Sequence, residues 1–280
     1  ADMAQKRDIA DPRTVRDFAK AVKSVWRLDL LTVITVCDIR GVGENIWNNW
    51  KAVLIRALYR QTRRALEEGM EALNREQRGA DAKKKLRLFL SKWTNGPLKI
   101  ETNRHYEPYW QGLHVTAHVD FAEMLIDIKE TEISVRLTTD LDRDATRACF
   151  VMYDHPGIFT RITGALALVG ANVVDARAYT SKDGFGTNAF WVQDDNGHPY
   201  DTKKLSKLKA MIEKTLGGEI IPQNELNHKI KKREKDFAVP TAISFDNNGS
   251  DIYTIIEVDT RDRKGLLYDL SKTLTGANIY

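Results

Sequence analysis

The sequence has little cysteine and no long apolar run, and each scarcity excludes a class of protein. Its two cysteines, Cys37 and Cys149, have no CxxC or Cys/His neighbourhood, so we expect buried thiols in a reducing compartment rather than disulfides or a zinc site. No apolar run approaches the ~18 residues that a membrane span needs, and the N-terminal residues have no apolar signal core. We therefore expect a cytoplasmic protein without a membrane partner.

Neither basic nor acidic residues are in large excess over the other. Lysine and arginine number 43 against 39 acidic residues, a formal net charge of +4, and the two signs are interspersed along the chain. A basic stretch at Lys83–Arg87 is typical of the solvated face of a helix. Because a nucleic-acid surface usually needs clustered basic residues, we expect no nucleic-acid partner.

The N-terminal part reads as helical. Apolar residues with a period of 3.6 follow Pro12, which is a plausible helix start. The run from Leu28 to Ile39 is apolar on nearly all sides, which predicts a centrally buried helix, although it contains Asp38. Asn45 is the expected N-cap of a long helix that reaches Leu66.

The next segment contains an aromatic cluster around Tyr109 and Trp110. His114 and His118 follow with a spacing of four residues, as metal ligands on one helix would have. No HExxH-type carboxylate accompanies them, so a surface pair is the favoured interpretation. An amphipathic helix should carry Phe121 on its buried face.

From residue 132 the apolar period changes to two. We expect a strand through Val135, a turn over Asp140–Asp144, a buried strand over Ala148–Tyr153 and a helix ending at Gly170. Two further strands, a second helix that stops at Gly217-Gly218, and a last strand at Glu219–Pro222 would complete a βαββαβ unit. That order predicts a four-stranded antiparallel sheet with both helices on one face.

Part of this unit is repeated. Asp154 and Gly157 match Asp262 and Gly265 at an offset of 108, and the apolar residues of the following helix keep the same offset. The second copy begins with a predicted strand at Tyr253–Val258. It reaches Tyr280 directly after its first helix, so we expect the chain to be a fragment of a longer protein.

The repeated strand–Asp-x-x-Gly–helix turn suits a small ligand. Glycine lets the backbone approach closely, and the helix N-terminus offers free N–H groups and a positive dipole end. An amino-acid carboxylate fits that end, while Asp154 or Asp262 would take the ammonium group. The alternative is a tight turn with an aspartate N-cap and no ligand.

These motifs resemble those of the ACT family. The residues Asp154-His155-Pro156-Gly157-Ile158-Phe159, with the following Gly-Ala-Leu-Ala-Leu-Val-Gly-Ala-Asn-Val-Val-Asp-Ala-Arg, and the second-copy residues from Asp262 are similar to the C-terminal part of the bifunctional P-II uridylyltransferase/uridylyl-removing family. Lys264 departs from the proline that is usual at its position. Leu30–Arg40 and Trp47–Tyr59 resemble the end of that family's HD phosphohydrolase domain, and Arg104–Trp110 its connector.

The resemblance implies a fold and a site. The fold is α+β: 1–100 as the helical end of an HD domain, 101–145 as connector, 146–225 as a ferredoxin-like ACT domain, 226–252 as linker and 253–280 as a truncated second ACT domain. It also implies effector-binding residues at Asp154, His155, Gly157, Ile158, Phe159, Asn172, Val173, Asp262, Gly265, Leu266 and Leu267.

The resemblance further implies a metal ligand at Asp38, for Mg²⁺ or Mn²⁺. A salt bridge between Asp38 and Arg40 or another internal partner is the competing interpretation. The HD-motif histidines and the nucleotidyltransferase Gly-Ser loop are not found in these 280 residues, where the first histidine is His105.

The implied activity is transfer of UMP from UTP to the P-II signal protein, and its hydrolytic removal, under control of glutamine. The nucleotidyltransferase and hydrolase centres would belong to the parent enzyme, and this fragment alone should catalyse neither reaction. A non-enzymatic amino-acid-binding regulator is the alternative, which the upstream gene sequence would discriminate. An ACT-bearing biosynthetic enzyme is disfavoured because no Rossmann or other catalytic pattern precedes the modules.

Overall fold

A computed structural model describes residues 2–43, 46–69, 75–218 and 240–279. The predicted N-cap Asn45 and the predicted strand Glu219–Pro222 lie outside these ranges. The helices and strands are α1 (Asp2–Lys6), α2 (Pro12–Val22), α3 (Val25–Val42), α4 (Asn49–Glu68), α5 (Arg75–Phe89), α6 (Asn95–Arg104), α7 (Glu107–Gly112), α8 (Val115–Leu125), β1 (Ser134–Asp140), β2 (Ala145–Tyr153), α9 (Ile158–Leu168), β3 (Asn172–Thr180), β4 (Phe185–Gln193), α10 (Leu205–Leu216), β5 (Ala242–Asp246), β6 (Ile255–Asp259) and α11 (Leu266–Gly276).

The chain divides into two compact units. The first comprises the residues up to Asp81 together with Pro240–Thr260, and the second comprises the described residues from Ala82 to Gly218 together with those from Arg261 onwards. Strand β6 of the predicted second copy therefore belongs to the first unit, and α11 belongs to the second. None of the helices in the described ranges combines the length and apolar character needed to cross a membrane.

In the first unit, α2 begins as predicted at Pro12, where the Asp11 carboxylate accepts from the backbone N–H of Arg13. Helix α4 is capped by Asn48. Strands β5 and β6 form an antiparallel hairpin, and the Arg7 guanidinium bridges the carboxylates of Asp246 and Glu257 on the two strands. Strand β5 lies in the residues expected as linker and was not predicted.

The expectation of a centrally buried helix at Leu28–Ile39 is wrong for the described residues. In α3 only Leu28 and Ile39 are buried, whereas Val33 and Ile34 are 61% and 62% exposed. A helix that is apolar on all sides cannot be covered by α2 and α4, which contact only part of its circumference. Cys37 on the same helix is exposed, so the expectation of a buried thiol fails there for the same reason.

The second unit is built on a four-stranded antiparallel sheet with the strand order β1-β2-β4-β3. Helices α9 and α10 cover one face through a core that includes Phe150, Phe190 and Ile212. Helices α7 and α8 contribute to the core on the opposite face, where Trp110 and Phe121 cluster with Trp191. The sheet is thus covered on both faces.

The expected βαββαβ order is confirmed for its first five elements, β2, α9, β3, β4 and α10, and its last strand lies outside the described residues. The edge position beside β2 is taken by β1, which precedes β2, so the described order is ββαββα. The short turn between Asp140 and Ala145 allows β1 and β2 to pair directly as a hairpin. Cys149, on β2, is buried as predicted, and burial raises the pKa of its thiol to about 12.

Candidate functional site

The two repeated turns have the same backbone conformation. Gly157 has φ +86° and ψ 2°, and Gly265 has φ +78° and ψ 2°. Each glycine stands at the N-cap of its helix, α9 or α11, without a side chain to cap the first N–H groups. Residues with a Cβ avoid this left-handed conformation, so glycine is required at both positions. The first N–H of each helix, on Ile158 or Leu266, donates back to the carbonyl of His155 or Arg263, so an acceptor would bind the N–H groups that follow.

The aspartates do not cap these helices. The Asp154 carboxylate accepts from the Thr180 hydroxyl at 2.5 Å, and its backbone N–H donates to the Gly184 carbonyl at 2.8 Å. Asp262 is exposed. The interpretation of the motif as an aspartate N-cap is therefore wrong, because glycine takes that position.

Helices α9 and α11 pack against each other with twofold pseudosymmetry. Thr163 and Ser271, which occupy the same position in the two copies, share a hydrogen bond of 2.9 Å between their hydroxyls. A Cβ added to Gly157 would lie 3.6 Å from Thr275, and one added to Gly265 would lie 3.8 Å from Ala167. Because Ala167 and Thr275 are also equivalent at the offset of 108, each contact is reciprocated.

The two copies also share a side-chain contact that links each turn to its own helix. The Arg161 guanidinium donates to the His155 ring at 2.9 Å, and Arg263, which is equivalent to His155, forms an ion pair with Asp269, which is equivalent to Arg161. Arg161 also donates to the Leu216 carbonyl at the end of α10. The same turn-to-helix contact is made in both copies with different residues.

A cavity of about 480 Å³ lies beside the second turn. This volume falls in the range of roughly 300–1,000 Å³ that is usual for small-molecule sites. The lining combines the end of α9, the start of β3, the loop after β4 and the turn into α11: Thr163, Ala167, Ala171, Asn172, Val173, Asp194, Asp195, Asn196, Gly197, Asp262, Arg263, Lys264, Gly265, Leu266, Leu267 and Tyr268.

The structure brings together six of the predicted effector-binding residues and leaves five apart. The lining includes Asn172, Val173, Asp262, Gly265, Leu266 and Leu267. Those outside the lining belong to the first turn: Asp154, His155, Gly157, Ile158 and Phe159. The sequence predicts a loop at Asp194–Pro199 but not its place in the site. The β3–β4 register pairs Asn172 with Gln193 and so places this loop beside the start of β3.

The cavity carries charges of both signs. The Lys264 ammonium donates to the Asp195 carboxylate. Burial raises the pKa of Asp194, but the backbone N–H groups of His198 and Asn196 donate to its carboxylate and hold the pKa below its usual value. Among the described residues, the Asp262 carboxylate has no hydrogen bond or ion pair. Such a lining can bind a zwitterion.

The histidine pair separates in the structure. His114 is exposed at the N-cap of α8, while His118 is fully buried and its Nε2 contacts the Tyr109 carbonyl at 3.2 Å. The expectation of a surface pair is therefore wrong for His118, which faces the aromatic cluster on the sheet side of α8. Burial lowers the pKa of His118 to about 4.

Asp38 is exposed on α3, and the structure shows no ion pair with Arg40. Within the described ranges, no group of three or more His, Cys, Asp or Glu side chains is arranged to hold a metal ion. One exposed carboxylate does not hold a divalent cation by itself. These residues consequently do not fit a metal centre, although Asp38 has the chemistry to supply one ligand.

The fold and site define a mixed α+β protein with an internally repeated turn and a cavity of the size usual for small-molecule sites. No family profile and no solved structure matches the chain. Curated relatives named "Bifunctional uridylyltransferase/uridylyl-removing enzyme" match it from end to end. The protein of Ruegeria pomeroyi is 66% identical over 286 residues, that of Cereibacter sphaeroides 62% over 282, and that of Azospirillum brasilense 38% over 283.

These matches cover 99–100% of the chain but 30–32% of each relative, so the chain spans about a third of the length of the relatives it matches. Over its whole length the chain is similar to part of these bifunctional uridylyltransferase/uridylyl-removing enzymes. The sequence resemblance to these enzymes is thereby confirmed, while the ACT and HD assignments stay predictions.

Proposed function

We propose that this chain is the glutamine-sensing part of an enzyme that uridylylates the P-II signal protein with UTP and removes the uridylyl group by hydrolysis. The relatives' names support the pair of activities. The P-II substrate and the effector glutamine come from the family resemblance. The two repeated turns act as ACT modules, and glutamine binding favours uridylyl removal over transfer.

The cavity at the second turn is the observation that carries the sensing role. It joins a helix N-terminus, the Lys264 ammonium and the Asp262 carboxylate, which has no partner among the described residues, in one space of about 480 Å³. The α-carboxylate of an amino acid suits the α11 N-terminus, and its ammonium group suits Asp262. The first turn has the same backbone and contributes to the same switch through the packed pair α9 and α11.

The proposal assigns no catalytic residues to this chain. Asp38 would supply one ligand to a divalent metal, Mg²⁺ or Mn²⁺, which would serve hydrolysis. The described residues provide no second and third ligand beside it, so no catalytic step is assigned to this chain.

Isothermal titration of L-glutamine into the 280-residue chain tests the sensing role. We expect saturable binding, and Asp262→Asn should weaken it by about tenfold or more because a charged hydrogen bond contributes roughly 1.5–3 kcal/mol. Asp127→Asn is the matched control, since Asp127 is exposed and lies outside the cavity lining. Absence of binding to the folded chain, or equal affinities of D262N and the wild type, would overturn the assignment.

A further inference from the structure

Lys264 makes the two turns chemically different. The equivalent position in the first turn is Pro156, which has no charge and whose carbonyl contacts the His155 ring at 3.0 Å. The backbones of the two turns are otherwise alike. A lysine in place of proline adds one cation to the second turn alone.

The Lys264 side chain extends across the cavity. It starts in the turn before α11 and its ammonium group donates to Asp195 in the loop after β4. The same nitrogen lies 3.6 Å from the position that a Cβ on Gly170 would take. Both Lys264 and Asp195 belong to the cavity lining, so their ion pair borders the space that a ligand would occupy.

The lining holds one other cation, Arg263, which forms an ion pair with Asp269 on its own helix. The Lys264 pair differs in its position, because it joins the turn to the loop after β4 across the cavity. Its side chains, Lys264 and Asp195, are 50% and 74% exposed. Exposed ion pairs stabilise a fold only weakly, so a ligand carboxylate can replace Asp195.

We propose that Lys264 binds the α-carboxylate of the ligand in exchange for Asp195, and that Lys264 thereby selects ligands with a free α-carboxylate at the second turn. The ligand ammonium group then lies toward Asp262, and the loop carrying Asp195 is released from the turn. This inference rests on the proposed function in one respect, namely that the cavity takes an amino acid. Because Pro156 has no such cation, the first turn lacks this selectivity.

Titrations with L-glutamine and with its α-amide, which lacks the carboxylate, test the inference on the whole chain. The wild type should bind L-glutamine at least about tenfold more tightly than the amide, as a charged hydrogen bond predicts. Lys264→Gln should abolish this preference by weakening L-glutamine alone, and Lys264→Arg should retain most of it. Asp195→Asn should tighten L-glutamine several-fold, because it removes the competing carboxylate.

Lys129→Gln is the matched control, because Lys129 is an exposed lysine paired with Glu132 away from the cavity. An unchanged preference in folded K264Q would overturn the role of Lys264 while leaving the sensing role intact. If L-glutamine does not bind but another common amino acid binds with the same dependence on Lys264, the glutamine assignment fails and the inference stands. If none of the twenty binds, both fail.

Discussion

The hydroxyls of Thr163 and Ser271 lie 2.9 Å apart, and the two residues are 108 positions apart in the chain, the offset of the internal repeat. Equivalent residues of two copies can meet only on or near a twofold axis between them. This contact therefore marks the centre of the α9–α11 pair. Both residues are buried, so their hydrogen bond is protected from water.

Replacement of Thr163 by valine should loosen α11. It leaves the Ser271 hydroxyl without its partner across the axis, and a hydrogen bond of this kind contributes about 1 kcal/mol. Native-state amide exchange in α11 should accelerate by about fivefold. Ser271→Ala should accelerate exchange to a similar extent. The double variant should lose less stability than the two single variants lose together. Thr273→Val, at an exposed position of α11, is the control and should change little.

The glycines at the two N-caps should be equally intolerant of a side chain. Gly157→Ala and Gly265→Ala should each lower stability by about 1–2 kcal/mol because an L-residue is strained at positive φ. Gly96→Ala is a suitable comparison, since Gly96 lies in α6 with open space around it and alanine there should stabilise by up to about 1 kcal/mol. Thermal unfolding of the three variants measures these changes in stability. A neutral G265A would refute the inferred conformation of the turn.

The buried His118 should make the second unit sensitive to acid. Its pKa is about 4 in the folded chain against 6.5 for an ordinary histidine, so between these values the unfolded chain binds a proton that the folded chain does not. Stability is then lost as the pH falls from about 6.5 to 4, by about 3 kcal/mol. Urea unfolding at both pH values should show this loss, and His118→Gln should remove most of it.

The matched control for that experiment is His114→Gln, at the exposed position four residues earlier. Burial also lowers the pKa of His114, but its exposure should make the effect smaller. Equal slopes of stability against pH in wild type and H118Q would contradict the assigned environment of His118.

The chain alone should release no UMP from uridylylated P-II protein in the presence of Mg²⁺ or Mn²⁺. The reason is chemical: the described residues hold no three-ligand metal group, and one exposed aspartate is insufficient. Chromatographic detection of UMP measures the reaction, with the full-length relative of Ruegeria pomeroyi as the positive control. Release of UMP that disappears in Asp38→Asn would show that a complete site exists.

Local patterns predicted the repeated turn well because its determinants are local. Gly157 needs a positive φ and the following apolar residues have a helical period, so the turn and α9 could be placed from the sequence. The same pattern predicted Gly170 as the helix stop, with φ +73°, and its equivalent Asn278 also has a positive φ of +59°. Six cavity residues followed from this reasoning and the family resemblance.

Features that depend on tertiary packing were harder to predict. The exposure of Val33 depends on which helices cover α3, which its own sequence does not specify. The burial of His118 depends on the aromatic cluster that packs against it. Lys264 could be seen as a departure from the family pattern, but its contact with Asp195 depends on the β3–β4 register and on the packing of α11 against α9.

Hydrogen exchange of the wild-type chain with and without L-glutamine tests the central claim most directly, because it locates the ligand as well as detecting it. We predict protection in the turn 262–268 and at the start of β3, lower protection in the loop 194–197, which the ligand releases from Lys264, and little change around Asp38. No protection at saturating glutamine, or protection confined to the first unit, would contradict the assignment of the cavity as the effector site.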